Sequence, residues 1–254
     1  MARWARALVT GASSGIGLEL ARALAADGTE LVVVARDGGR LRELASSVDV
    51  ACEVIVADLA DPEGLRAVED RLADRAIPID LLVNDAGLGS SGPFHELDVG
   101  TESAIVDVNV VALHRLAHVA ARAMTDEGHG GILNVSSMAG FLAAPGSATY
   151  GATKAFVTSF SESLHVELAP SGVHVTALCP GYTRTEFQER ADYDASSIPS
   201  FAWQSASQVA AAGLDGIDRD RAVVVPGALN RVGAALIGAL PRTVRRAVVA
   251  KLRP

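Results

Sequence analysis

Seven short apolar runs divide the chain at regular intervals: "RALVT" (6–10), "ELVVVA" (30–35), "CEVIVA" (52–57), "DLLVN" (80–84), "GILNVS" (131–136), "VHVTALC" (173–179) and "AVVVP" (222–226). Most are separated by helix-length segments with a 3.6-residue apolar period, such as "GLELARALAADG" and "ESAIVDVNVVALHRLAHVAARAMTDEG". A strand that stays apolar without alternating is buried on both faces. Strands separated by helices imply crossover connections and a parallel sheet. The expected fold is therefore α/β: a Rossmann-like, doubly wound parallel sheet of about seven strands in a three-layer α/β/α sandwich. No linker, repeat or low-complexity segment interrupts the pattern, so residues 1–254 are read as one domain. With 49% hydrophobic and 20% charged residues, the chain can bury a large core. Segment 183–208 is the exception. It is polar, lacks strand character and carries Phe187, Tyr193, Phe201 and Trp203, which marks it as a lid over a site.

Composition excludes several classes. The only two cysteines, Cys52 and Cys179, both lie in apolar runs. They read as small buried hydrophobes in a reducing compartment rather than a disulfide framework. The N-terminus lacks an uninterrupted apolar core of signal-peptide length, and no apolar run approaches the ~20 residues that span a bilayer. A cytoplasmic location is expected. The net charge of −8 argues against nucleic acid as a partner. That charge is uneven: from Arg221 to Pro254 there are seven Lys/Arg and no Asp/Glu, so the first 220 residues carry −15. Residues 228–254 read as a basic amphipathic helical tail, for which docking on the domain or pairing with another subunit is expected over contact with an anionic membrane.

Ligands of doubly wound sheets sit beyond the carboxyl ends of the strands. The first strand ends in "TGASSGIG", with Gly11, Gly15 and Gly17 between strand and helix. Glycine there permits a tight turn and lets a pyrophosphate approach the backbone amides and the helix N-terminus. At the end of the second strand an acidic residue would take a ribose 2′-hydroxyl, but the sequence reads "VVVAR", with Ala35 at that position and Arg36 next. An arginine suits a 2′-phosphate, so NADP(H) is expected over NAD(H). Asp37 is read as the N-cap of the helix that "DGGRL" opens. Asp58, at the end of the third strand, is read either as an acceptor for an adenine amine or as a loop cap.

The stretch "YGATK" places Tyr150 and Lys154 one helical turn apart, on the same face of a helix that runs on through "AFVTSFSESLHVEL". Alone, such a pair reads as a surface lysine beside a half-buried tyrosine. His114 and His118 are also four apart, but no glutamate or third ligand accompanies them, and no metal is expected.

Taken together, "TGASSGIG", "NDAG" (84–87), Asn109 in "DVNVVA", "NVSSMAG" (134–140), "YGATK" and "PGYTRT" (180–185) resemble the short-chain dehydrogenase/reductase family in order and spacing, from about residue 6 to 226. The second motif departs from the usual NNAG, with Asp85 in place of an asparagine. Asn84 looks like the sheet-stabilising member of the pair. The resemblance implies a tetrad of Asn109, Ser137, Tyr150 and Lys154, with Ser137 chosen over Ser136 for its thirteen-residue distance from Tyr150. It implies coenzyme contacts from Gly11, Ser13, Ser14, Gly15, Ile16, Gly17, Arg36, Asp58, Leu59, Asn84, Ala86, Gly87, Tyr150, Lys154, Pro180 and Gly181. Thr183 through its backbone and Thr185 through its hydroxyl would hold the nicotinamide carboxamide, unless Thr185 caps the next helix. The family needs no metal.

The chemistry fits those residue types. Reducing a ketone requires a proton for oxygen as hydride reaches carbon, and a phenol is a usable acid. A cation ~4 Å away at an effective dielectric of ~20 stabilises the phenolate by roughly 4 kcal/mol, which is about three pKa units. Lys154 is expected to supply that charge, Ser137 to fix the substrate oxygen, and Asn109 to link Lys154 to solvent through a water. The expected pocket wall is Leu88, Phe94, Phe141, Leu142 and Tyr182, with Phe187 and Trp203 from the lid. It is apolar and has no obvious cation for an anionic group. The expected activity is NADP(H)-dependent interconversion of a neutral, hydrophobic carbonyl compound and its alcohol. Two other classes fit less well: a non-catalytic NADP-binding sensor, disfavoured because all four tetrad positions are filled, and a methyltransferase, disfavoured by the glycine spacing and by "YGATK". By resemblance a homo-oligomer forms through the helices at about 101–127 and 148–169.

Overall fold

The computed structural model describes residues 3–196, 198–241, 243, 244 and 246. Its centre is a seven-stranded sheet of β1 (Arg6–Thr10), β2 (Glu30–Ala35), β3 (Cys52–Val56), β4 (Leu81–Asn84), β5 (Gly130–Val135), β6 (Val173–Leu178) and β9 (Val223–Val224). The strand order is β3-β2-β1-β4-β5-β6-β9, and every pairing is parallel. The order reverses between β1 and β4, which opens a crevice at their carboxyl ends.

Side chains alternate between the two faces of this sheet. Ala7, Val9, Leu31, Val33, Leu81 and Val83 pack with Leu20 and Leu24 of α1 (Gly15–Ala26), Leu41 and Leu44 of α2 (Gly38–Ser46), and Val209 and Ile217 of α8 (Ala206–Asp218). Leu8, Val32, Val34, Leu82 and Ile132 face the other way. They meet Leu65 and Val68 of α3 (Pro62–Ala73), then Leu116, Ala120 and Met124 of α5 (Leu113–Glu127). The three expected layers are thus present. The unbroken apolar character of β1, β2 and β4 follows from burial on both faces.

β3 departs from that expectation. It is an edge strand whose residues are only half covered, with Val56 55% exposed. Cys52 is accordingly partly buried, whereas Cys179 is buried. Segment 183–208 also departs from its reading as lacking strand character. It contains a two-residue parallel pairing of β7 (Thr183–Arg184) with β8 (Gln204–Ser205), and the short helix α7 (Phe187–Arg190) lies between them.

The helix after β4 runs from Val99 to Glu127 and is the one described helix long and apolar enough to cross a bilayer. Its inner face is buried against the sheet through Ile105, Leu116, Ala117 and Met124. It comprises α4 (Val99–Val106), a π-helical segment at Asp107–Ala112, and α5. Of the basic tail, α9 (Ala228–Ala239) buries no residue, and Leu229, Val232 and Leu236 are 60%, 58% and 64% exposed. Asn230 ties it to the Gln204 side chain and the Pro226 carbonyl. Gly233, Ala234 and Ile237 are partly buried along the same helix, so the described part of the tail lies against the domain on one side. Much of the tail beyond it lies outside the described residues.

Candidate active site

At the carboxyl end of β1 the chain turns through Gly11 and Gly15 with φ of +73° and +60°, conformations that glycine alone adopts without strain. Gly17 is needed for space. A Cβ there would lie 2.5 Å from Asp85 Oδ2 and 2.6 Å from the Gly11 carbonyl oxygen. Helix α1 starts at this loop. Its N-cap residue Ser14 makes no side-chain capping bond, and its first turn has no acidic residue. Apart from the Gly17 amide, which the Asp85 carboxylate takes, the head of the helix thus keeps its donors and its positive dipole end for an anion. This cradle fits a dinucleotide pyrophosphate.

The neighbouring strand ends complete the crevice. Arg36 follows β2, is 61% exposed at its side chain, and reaches to 3.8 Å of Asp58 Oδ2. Asp58 Oδ1 accepts the Ala60 amide at 3.0 Å, so it is a loop cap as well as the partner of Arg36. Asp37 accepts the Arg40 amide at 3.0 Å, the expected N-cap of α2. Asn84, buried in β4, donates to Asn134 Oδ1 at 2.9 Å across the β4–β5 register, and Asn134 donates to Ser161 of α6 (Ala148–Leu168) at 2.9 Å. Thr10 Oγ1 accepts both the Asp85 and the Ala86 amide at 3.1 Å.

Tyr150 and Lys154 lie one turn apart on α6, with the ammonium 5.7 Å from the phenol ring centroid. Lys154 is 5% exposed and donates to the Val135 carbonyl at 2.8 Å. Ser137, at the end of β5, shares a hydrogen bond with the Tyr150 hydroxyl and accepts the Ala139 amide at 3.1 Å. Ser136 points the other way, bonding the Lys154 carbonyl at 2.7 Å. Asn109 is fully buried in the π-helical segment. Its Oδ1 accepts the Leu88 amide at 2.8 Å, and its Nδ2 donates to the Leu88 carbonyl at 2.9 Å and to Thr153 Oγ1 at 3.1 Å. The bulge turns the amide toward the strand end, in keeping with the habit of π-bulges to mark functional sites.

Electrostatics here differ from the expectation that Lys154 alone lowers the phenol. Burial pushes Tyr150 up to about 12, opposed by the Ser137 hydrogen bond and reinforced by the charge of Asp85. The ammonium sits over the ring face and is engaged by Val135, and burial lowers its own pKa while Asp85 raises it. Desolvation is the largest cause of the shift for both groups.

Around Tyr150 the expected pocket divides. Phe187 is at the site, its ring 5.2 Å from that of Tyr150 and its Cζ 2.6 Å from where a Cβ on Gly89 would sit. The Tyr182 and Trp203 rings lie 5.7 Å apart, tilted by 43°, and Tyr182 also bonds Tyr193 through the hydroxyls at 3.2 Å. Leu88, Phe141 and Leu142 are partly buried, whereas Phe94 is 63% exposed and stands apart. Thr185 packs its Cγ2 3.1 Å from a Cβ position on Gly15, and its hydroxyl accepts the Phe187 amide at 3.2 Å, so it caps the next turn. Thr183 is buried, with its carbonyl accepting Gln188 Nε2 at 3.1 Å.

One buried group escaped the sequence. Glu102 of α4 is 6% exposed and takes Ser90 Oγ at 2.5 Å and the Thr149 hydroxyl, bracing the turn before Tyr150. In "VGTESAIV" it looks like any solvated helix acid, and only the serine and threonine it meets in space mark it.

The short chain dehydrogenase family model matches residues 5–195, three quarters of the sequence. The chain belongs to this family. It is 35% identical to an uncharacterised oxidoreductase of Staphylococcus saprophyticus over 193 residues, 74% of this chain and 82% of the relative. A short-chain dehydrogenase from Sphingobium yanoikuyae, solved in complex with NADPH, superposes with a TM-score of 0.84 at 38% identity, covering 98% of this chain and 96% of that one. The bulky-bulky ketone specific alcohol dehydrogenase from Comamonas testosteroni superposes with a TM-score of 0.79 at 36% identity, over 93% and 95%. This enzyme is an oxidoreductase of alcohols and carbonyl compounds that uses a nicotinamide coenzyme.

Proposed function

We propose that the enzyme is an NADPH-dependent reductase of neutral, largely apolar carbonyl compounds, with Tyr150 as proton donor and Ser137, Lys154 and Asn109 as its partners. The observation that carries this reading is the buried Lys154 ammonium 5.7 Å from the Tyr150 ring, one turn along α6, at the carboxyl edge of the sheet and next to the glycine-rich cradle. The chemistry a bound NADPH supplies there is a hydride for the carbonyl carbon. Ser137 holds the substrate oxygen, and Tyr150 delivers its proton to that oxygen as charge develops. Lys154 stabilises the phenolate left behind and holds the nicotinamide ribose. Asn109 fixes the Leu88 backbone and, through a water, carries Lys154's proton exchange to solvent. Thr183 and Thr185 hold the carboxamide, and Asn84, Ala86 and Gly87 line the ribose side.

The preference for NADPH rests on Arg36 at the end of β2 and is supported by the NADPH-bound Sphingobium relative. Phe187, Tyr182 and Trp203 support an apolar substrate, as does the ketone specificity stated for the Comamonas relative. We read residues 1–254 as one domain with 183–208 as the substrate lid. The enzyme works as a homo-oligomer in the cytoplasm. Exposed Val99, Val106, Val111, Phe156 and Val166 on the two long helices support the first assignment, and the unpaired Cys52 and Cys179 support the second.

Titration with NADPH and NADH, followed by coenzyme fluorescence, tests the coenzyme assignment. Losing a charge-assisted contact costs about 1.5–3 kcal/mol, so Arg36→Ala is expected to weaken NADPH binding roughly 10- to 100-fold and leave NADH unchanged. Equal losses for both coenzymes would contradict the role of Arg36.

A further inference from the structure

Asp85, the departure from the usual motif, sits where three parts of the site meet. Its amide is held by Thr10 Oγ1 of β1 at 3.1 Å. Its carboxylate accepts a hydrogen bond from the Gly17 amide in the first turn of α1, and its Oδ2 lies 2.5 Å from where a Cβ on Gly17 would be, so the group is seated against the coenzyme loop. The same turn abuts α6. A Cβ at Gly87, two residues on, would be 3.5 Å from Lys154 Nζ and 3.4 Å from Asn109 Oδ1.

The charged and titratable groups that act on Asp85 come from one side. Lys154 and Tyr150, both on α6, interact with its charge. On the β1 side the Thr10 hydroxyl accepts the Asp85 amide, and Cys179 beyond β6 is a further titratable group acting on Lys154. Burial raises the carboxyl to about 7 against the opposing effects of Lys154 and the Gly17 amide, so the group acts as a carboxylate above neutral pH, where the tyrosine begins to ionise. Asp85 in turn favours the charged form of Lys154 and disfavours the phenolate of Tyr150. An asparagine oxygen would accept the Gly17 amide equally well. What aspartate adds is therefore charge rather than a hydrogen bond.

We propose that Asp85 is a positioning residue that sets the charge state of the site: anchored on the Gly17 amide, its carboxylate keeps Lys154 charged and Tyr150 protonated. The proton-donor form of the tyrosine then persists to higher pH than it would beside an asparagine. This inference rests on the reading of Tyr150 as the proton donor.

The sign of the effect is fixed by the two interactions. Neutralising Asp85 removes repulsion from the phenolate, so Tyr150 ionises at lower pH. It also removes attraction to the ammonium, so Lys154 loses its proton at lower pH. In Asp85→Asn both limbs of the pH profile for oxidation of a neutral secondary alcohol with NADP+ are expected to move down by about one pH unit. The ionisation of Tyr150 is expected to move with them, read without turnover as tyrosinate absorbance of each enzyme minus the same enzyme carrying Tyr150→Phe. Asp85→Ser is the second neutral variant should Asp85→Asn not fold. Superimposable profiles and an unmoved tyrosinate midpoint in a folded neutral variant would overturn the proposal. Turnover retained by Tyr150→Phe would overturn the parent reading alone, because the absorbance midpoint still reports the phenol directly.

Discussion

Tyr150→Phe is expected to lower turnover of carbonyl substrates by about three orders of magnitude, within the span of general acid catalysis, while leaving NADPH binding within a few-fold of the wild type. The substitution removes one oxygen. The ring remains to pack at 5.2 Å against Phe187 and under the Lys154 ammonium at 5.7 Å. Ser137 keeps its bond from the Ala139 amide and loses only its bond to the phenol. The rest of the site is therefore undisturbed, and the loss reports proton delivery. The checks are single-turnover rates at saturating NADPH, with binding measured separately by fluorescence. A variant that turned over at more than a few per cent of the wild-type rate would remove Tyr150 from the chemistry.

The second large effect lies in the coenzyme cradle. Gly17→Ala introduces a Cβ 2.6 Å from the Gly11 carbonyl oxygen and 2.5 Å from Asp85 Oδ2. The first neighbour is backbone, held by the Gly11 amide bond to the Val34 carbonyl at 2.8 Å, and cannot swing aside as a side chain would. The loop must shift as a unit, away from the geometry that presents its amides. Overpacking of this kind costs about 1–3 kcal/mol, so NADPH affinity is expected to fall by up to roughly 100-fold. Titration of both coenzymes checks it. Because the damage is at the pyrophosphate, NADPH and NADH should suffer alike, in contrast to Arg36→Ala. Unchanged affinity for both would mean that this turn does not carry the coenzyme.

Much of the fold and of the site is legible in the sequence. Strands β1 and β2 begin and end at the residues read from "RALVT" and "ELVVVA", because a strand buried on both faces leaves an unbroken apolar run bounded by turn formers. Asp37 is the N-cap the sequence implies, since a capping side chain acts on an amide three residues away. What the sequence hides depends on contacts far along the chain. "DVNVVA" looks like ordinary helix, and its π geometry accompanies bonds from Asn109 to Leu88 and Thr153, 21 and 44 residues away. The pairing of β7 with β8 is two residues long, too short for any pattern, and is extended by the Gln204 amide on the Tyr182 carbonyl at 2.9 Å. β3 reads as apolar, yet it has a neighbour on one side only. Of the pocket residues, Phe187 reaches Tyr150 while Phe94 does not, because aromatic content shows that a wall exists without showing which way each ring turns.

The central claim is that Tyr150 delivers a proton to neutral carbonyl substrates in an NADPH-dependent reduction. It is tested most directly by the rate of NADPH oxidation with a panel of neutral aryl ketones and, in parallel, keto acids, using wild type and Tyr150→Phe both saturated with NADPH. The expected result is turnover of the neutral ketones by the wild type, little of the keto acids, and none above background by the variant. Equal turnover by the two proteins, or a preference for the keto acids, would contradict the account.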